Sequence, residues 1–276
     1  MNRKIVPVLI GLLVVVVGGT GLLTACSSSG GSQVSDLASL VKMTPEDTSS
    51  IIFIDAYKLR SDKDLGEKYN EMMEGFEDEV ISSETGMDID DIDYIAMTEF
   101  NFEQIAWISG DFDFEAIREY NSKNDYEKDE YKGVEIWYGP NSALAIHNNT
   151  LITGNEDSVK GCIDVIDDPK KSIYELNEDI RDVIETLPDG LFSMISGYAF
   201  HPDANTMGMT YLKVDADTLK ASGILKFDNE DDADSAFREL KEEMDSDEIS
   251  DFQISRSKEL VEFSAEIDID EAGLFW

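Results

Sequence analysis

Residues 5–23 contain no charged side chain, and all 60 acidic residues of the 276-residue chain lie C-terminal to them. That contrast separates a leader from the part of the chain that must build a fold. Arg3 and Lys4 supply a short positive start, the apolar run follows, and Leu23-Thr24-Ala25-Cys26 closes it with small residues. Charge, apolar core and small-residue site in that order describe an export signal. The competing reading is an uncleaved anchor, since the run is nearly long enough to span a bilayer as a helix. Pro7, near the helix start, is compatible with both. Either way the remainder of the chain lies across a membrane.

The tetrapeptide Leu23-Thr24-Ala25-Cys26 resembles the lipobox of bacterial lipoproteins. The resemblance implies diacylglyceryl attachment to Cys26, cleavage before it by the signal peptidase that reads Leu23, Thr24 and Ala25, and acylation, palmitate included, of the new terminus. Two or more acyl chains hold a protein stably at a membrane, whereas one is marginal. Ser27-Ser28-Ser29-Gly30-Gly31-Ser32 then provides a flexible spacer. This gives a signal peptide over 1–25 and a lipidated cysteine with linker over 26–36.

About 250 residues remain, enough for one large domain or two small ones. An apolar fraction of 42% supports a real core, so the excess of 60 acidic over 22 basic residues is a surface property, not a sign of disorder. A surface that negative repels phosphate, which argues against nucleic acid and leaves envelope proteins or cationic ligands as partners. There are 2 cysteines. With Cys26 acylated, Cys162 has no intrachain partner and reads as a buried structural thiol on a helix.

Apolar periodicity predicts helices over 34–43, 64–82, 114–120, 155–166, 178–186 and 232–244. Strand patterns fall at 50–56, 94–98, 102–109, 126–131, 134–138, 143–147, 151–154, 191–196, 207–214, 219–227, 252–257 and 260–267. Asp111 and Asp113 offer capping carboxylates before one helix and Asn155 caps another, while Asn148-Asn149 suits a tight turn. Pro188 after Leu187 echoes Pro45 after Thr44, each leading into an apolar strand. Trp107 to Asp113 echoes Ile224 to Glu230, each leading into a helix. The expected class is α+β: two similar units of mostly antiparallel sheet with packed helices, over 37–168 and 169–276. Leu151-Ile152-Thr153-Gly154, Val159, Ile163-Asp164, Ser172-Ile173-Tyr174 and Leu187-Pro188 form a series that is similar to one in uncharacterised exported α+β repeat proteins. That likeness implies an extracytoplasmic domain and no particular chemistry.

The search for chemistry yields little. The 2 histidines, His147 and His201, stand far apart and read as solvent-facing or capping groups rather than zinc ligands. No Gly-x-Ser-x-Gly elbow or phosphate loop occurs. Calcium is the one ion whose ligands the sequence offers, at Asp88, Asp90, Asp91 and Asp93, with a second acidic group at Asp228, Glu230, Asp231, Asp232 and Asp234. Neither group has the spacing of an EF-hand, and carboxylates before a helix also serve as caps. Trp107, Trp137 and Tyr138 suggest a sugar platform less readily than strand core. Leu274-Phe275-Trp276 is an apolar tail that docks or meets a partner. No catalytic or cofactor residue emerges. The expectation is a lipid-anchored, non-enzymatic binding or structural protein outside the cytoplasm at the cell membrane. The alternatives are a solute- or ion-binding lipoprotein of a transporter or envelope complex and, third, an envelope hydrolase.

Overall fold

A computed structural model describes residues 34–77, 87–100, 103–140, 142–244, 250–269 and 272. The chain divides into two compact units, one running to Glu178 and one from Asp179. Within each unit the paired strands are antiparallel, and helices pack on the sheet, so the class is α+β.

The first unit opens with α1 (Leu37–Val41), where the Asp36 carboxylate and the Ser39 hydroxyl form a reciprocal cap. Next come β1 (Thr48–Asp55), α2 (Ala56–Ser61) and α3 (Gly66–Glu77), followed by β2 (Ile92–Phe100) and β3 (Glu103–Gly110). The helix α4 (Phe114–Lys123) leads to four short strands: β4 (Glu127–Tyr131), β5 (Val134–Tyr138), β6 (Ala143–His147) and β7 (Thr150–Gly154). The unit ends with α5 (Glu156–Asp167) and α6 (Ile173–Leu176). Its strand order is β1-β2-β3-β7-β6-β5-β4.

Two hairpins in that meander follow from backbone chemistry. Lys132 (φ 51°) and Gly133 (φ 82°) turn β4 into β5, with Tyr131 and Val134 in register. Asn148 (φ 56°) turns β6 into β7 between the paired His147 and Thr150. Left-handed φ at the turn centre matches the twist of the flanking strands, and Gly and Asn tolerate it. Of the α5 residues that the apolar spacing marked, Val159, Cys162 and Ile163 are buried and Ile166 is half-buried, and Asn155 caps that helix by accepting the Ser158 N–H at 2.8 Å. Residues 169–176 stay with the first unit. Pro45 and Ser172 form a β-bridge, and Ile173 donates its N–H to the Thr44 carbonyl at 2.9 Å.

In the second unit α7 (Glu178–Thr186) precedes β8 (Phe192–Ser196), β9 (Ala204–Lys213) and β10 (Thr218–Phe227). Then follow α8 (Glu230–Met244), β11 (Ser250–Ser257) and β12 (Leu260–Asp268). The strand order is β8-β9-β10-β12-β11. Alternate residues of the sheet, Met207, Leu225, Phe227, Val261 and Phe263, meet Ala233, Ala236 and Leu240 of α8. The spacing of those three helix positions places them on one face. Burying a large apolar side chain of this kind contributes roughly 1.5–3 kcal/mol, an upper-end figure given residual structure in unfolded chains. No helix among the described residues is long and apolar enough to cross a membrane.

Candidate functional site

In the first unit a groove of ≈ 630 Å³ lies between α4 and the β4–β5 hairpin, lined by Asp113, Glu115, Arg118, Glu119, Lys128 and Trp137 among others. Asp113 starts α4 by accepting the N–H groups of Glu115 (3.0 Å) and Ala116 (3.1 Å), as expected for a capping carboxylate. Helical spacing then puts Glu115, Arg118, Glu119 and Ser122 on one face while Ile117 and Asn121 are buried. Across the groove Glu135 and Trp137 share a face of β5 by strand alternation, and Lys128 of β4 stands opposite Trp137.

Glu135 joins three of the lining residues, Trp137, Lys128 and Arg118. It accepts the Trp137 indole N–H at 2.8 Å, lies 2.8 Å from the Lys128 ammonium and 3.5 Å from Arg118 Nε. Arg118 also binds Glu115 at 2.6 Å. The Lys128 ammonium sits 5.5 Å from the centre of the Trp137 ring, a cation–π distance. Trp137 is only 5% exposed, so its ring is strand core and offers no stacking platform; Trp107 is 1% exposed and donates to Thr98 Oγ1 at 3.1 Å. The lining holds no histidine or thiol. Its cations already face carboxylates.

The second unit holds a tighter constellation. Lys226, 7% exposed in β10, places its ammonium 2.9 Å from Asp182 of α7, 2.9 Å from Glu259 at the turn into β12, and 3.9 Å from Asp179. Asn205 extends the network by donating to Asp179 (3.1 Å) and Asp228 (2.6 Å). Burial alone lowers a lysine's affinity for its proton, but the bonds to Asp182 and Glu259 outweigh that and hold Lys226 above the usual lysine range. Nothing in the sequence marks this hub, because Lys226 pairs with residues 44 and 33 positions away.

The acidic run at 88–93 does not gather into a site. Asp88 caps the 3-10 turn Ile89–Asp91 by accepting the Asp90 N–H at 3.0 Å, and Asp93 belongs to β2. Among the described residues no group of three or more His, Cys, Asp or Glu could hold a metal ion. Asp91 is pushed above the usual carboxylate range by partial burial and then by Asp88, Asp111 and Asp90. In the second acidic group, Asn229 does the capping: its side-chain oxygen accepts the Asp232 N–H at 3.0 Å, and Asp228 serves Asn205.

Of the two readings of His201, solvent-facing or capping, the buried ring departs from the first. It is 8% exposed, its ring meets Phe227 edge-on at 5.5 Å, and Nδ1 accepts the Asp203 N–H at 3.3 Å. The neighbouring Phe200 packs on Phe263, so a Gly- and Pro-containing loop is pulled onto the core by two rings. His147 ends β6 half-buried. Cys162 is fully buried in α5, and burial pushes its thiol far up. Leu23, Thr24, Ala25 and Cys26, and the tail Leu274-Phe275-Trp276, lie outside the described residues.

No family model matches the chain. It is 23% identical over 253 residues to the uncharacterised protein MJ0635 of Methanocaldococcus jannaschii, covering 88% of this chain and 87% of that one. It is also 23% identical over 231 residues to the uncharacterised protein MJ1281 of the same organism, but spans only 21% of that longer relative. Among solved structures it is similar to TP0453. Crystal form III of that protein gives a TM-score of 0.55 at 9% identity, over 90% of this chain and 98% of that one. Crystal form IV gives 0.51 at 8% identity, over 85% and 94%. These likenesses place the fold and carry no activity.

Proposed function

We propose that the chain is a lipid-anchored protein with a non-enzymatic binding or structural role on the outer side of the cell membrane. The observation that carries this reading is the order of the leader: Arg3-Lys4, an uncharged apolar run, Leu23-Thr24-Ala25-Cys26, and the Ser/Gly stretch at 27–32. One structural feature supports the binding role and another the anchor. The groove between α4 and the β4–β5 hairpin presents paired charges rather than a reactive group, and the buried Cys162 leaves Cys26 as the thiol available for acylation.

The two units also read as copies of one plan. In each, three sequential strands form a meander, a helix follows the third, and the chain's last strand in that unit returns beside that third strand: β7 beside β3, and β12 beside β10. The first unit adds one hairpin to the second unit's scheme. A duplicated module held on a spacer suits an adaptor more than an enzyme with one cleft.

Intact mass and membrane partition of the natively expressed chain, with and without Cys26→Ala, test the anchor. The expected result is a mature protein starting at Cys26 with diacylglyceryl mass, and a Cys26→Ala form that leaves the membrane. A mature protein that keeps residues 1–25, with the variant still membrane-bound, overturns it in favour of an uncleaved anchor.

A further inference from the structure

We propose that the edge strand β11 is the surface through which two copies of this chain pair, antiparallel about a two-fold axis at Ile254. β11 ends the sheet of the second unit, and among the described residues no strand pairs with its outer side. Phe252 and Ile254 pack on the core beneath α8 and stay half-buried at that edge. Gln253, Ser255 and Ser257 alternate with them on the other face and are exposed. The backbone of β11 is turned to suit a neighbour. Lys258 (φ 53°) and Glu259 make a two-residue turn between the paired Ser257 and Leu260. Such a turn makes its flanking residues a hydrogen-bonded pair, and bonded and non-bonded pairs then alternate along the ladder. Gln253, Ser255 and Ser257 therefore turn their N–H and C=O groups to β12, while those of Ile254 and Arg256 point outward.

The sequence of the edge selects a second copy as its occupant. An antiparallel neighbour that continues the sheet sets residues of the same face opposite each other. With the axis at Ile254, that residue meets its own copy, Phe252 meets the copy's Arg256, and Gln253 meets the copy's Ser255. Apolar faces apolar at the axis, an amide faces a hydroxyl beside it, and no like charges stand directly opposite. Arg256 lies on the same face as Phe252, with Nε 3.4 Å from Asp234 of α8, so its guanidinium is available to the copy's Phe252 ring. Asp251 (φ 47°) and the register break between Ser250 and Gln253 form a bulge that ends the ladder at Phe252. The pair is closed, because each copy uses the same edge once. A net charge of -38 opposes the approach of two copies, so association strengthens as salt screens it.

Sedimentation equilibrium of the full chain in detergent, over about 1–100 μM, tests the pairing. A dimer is expected within that range at about 0.15 M salt, and a tighter one at about 1 M. Ile254→Pro removes an outward N–H and leaves the ladder to β12 its donors, so it should yield a monomer. Should that variant fail to fold, the exposed Gln253 and Ser255 provide the second test. Gln253→Lys with Ser255→Glu sets opposite charges face to face twice across the axis, whereas Gln253→Lys with Ser255→Lys sets like charges there. The first should dimerise about fivefold more tightly than the wild type and the second about fivefold more weakly. A monomer at every concentration and salt overturns the proposal. So does a dimer that Ile254→Pro leaves intact, or equal affinity in the two charge variants.

Discussion

The ring of Phe263 lies over Gly223, its directly opposite partner across β12 and β10. A Cβ at position 223 would fall 2.1 Å from the ring's Cζ. The same ring receives Phe200 edge-on at 6.0 Å, so the glycine sets the position of a side chain that anchors the 197–203 loop. Gly223→Ala is expected to lower stability by about 1–3 kcal/mol, the usual cost of overpacking a core. Urea denaturation measures it, and faster exchange at Phe200 and His201 should accompany it. An unchanged midpoint would mean that the ring shifts without resistance.

Glu135 gathers three donors, so its two substitutions should differ. Glu135→Ala leaves the nearly buried Trp137 N–H without its acceptor and sets Arg118 against Lys128, at about 1–3 kcal/mol. Glu135→Gln keeps an oxygen for the indole and should cost about half as much. Paired urea titrations check the ranking, and equal losses would show that charge alone matters.

For Asp91 the sign runs opposite to that of most carboxylates. Its folded-state affinity for a proton is raised, so it favours folding when protonated and works against folding as pH rises through the carboxylate range. Asp91→Asn is therefore expected to stabilise the protein at pH 7 by less than about 1 kcal/mol, since the group is partly solvated. The gain should vanish near pH 3. Thermal melts at the two pH values decide, and an Asp91→Asn loss at pH 7 would point to a favourable partner for the carboxylate.

Full burial should make Cys162 inert in the folded state. Iodoacetamide at pH 8 is expected to leave it unmodified until denaturant is added, after which mass spectrometry should find it labelled. Rapid labelling of the native protein would require α5 to open.

The local devices were legible in the sequence because each acts over a few residues. Asn155 and Asp113 could be assigned as caps, Asn148-Asn149 as a turn and Cys162 as core without knowing what they packed against. The bounds of α7, 178–186, follow directly from the spacing of Ile180, Val183 and Ile184. What could not be read depends on residues remote in sequence: the hub at Lys226, the core position of His201, and the hub at Glu135, where α4 meets a strand that follows it. The acidic run at 88–93 misled in the opposite way. Its adjacency in sequence suggested a metal site, but Asp88 caps a 3-10 turn, Asp93 belongs to β2, and no metal-holding group forms among the described residues.

In β4 the residues Glu127, Lys128, Asp129 and Glu130 are all exposed, and this strand ends the first unit's sheet. Among the described residues no strand pairs with its outer rim, which leaves that rim open to a further strand. For a chain tethered as proposed, neighbours share a plane and meet in similar orientations, conditions that favour sheet growth from molecule to molecule. Four consecutive charged side chains, acidic and basic together, make that rim a poor template for a copy of itself. For a chain tethered as proposed, the ribbon would disfavour polymerisation in a crowded layer.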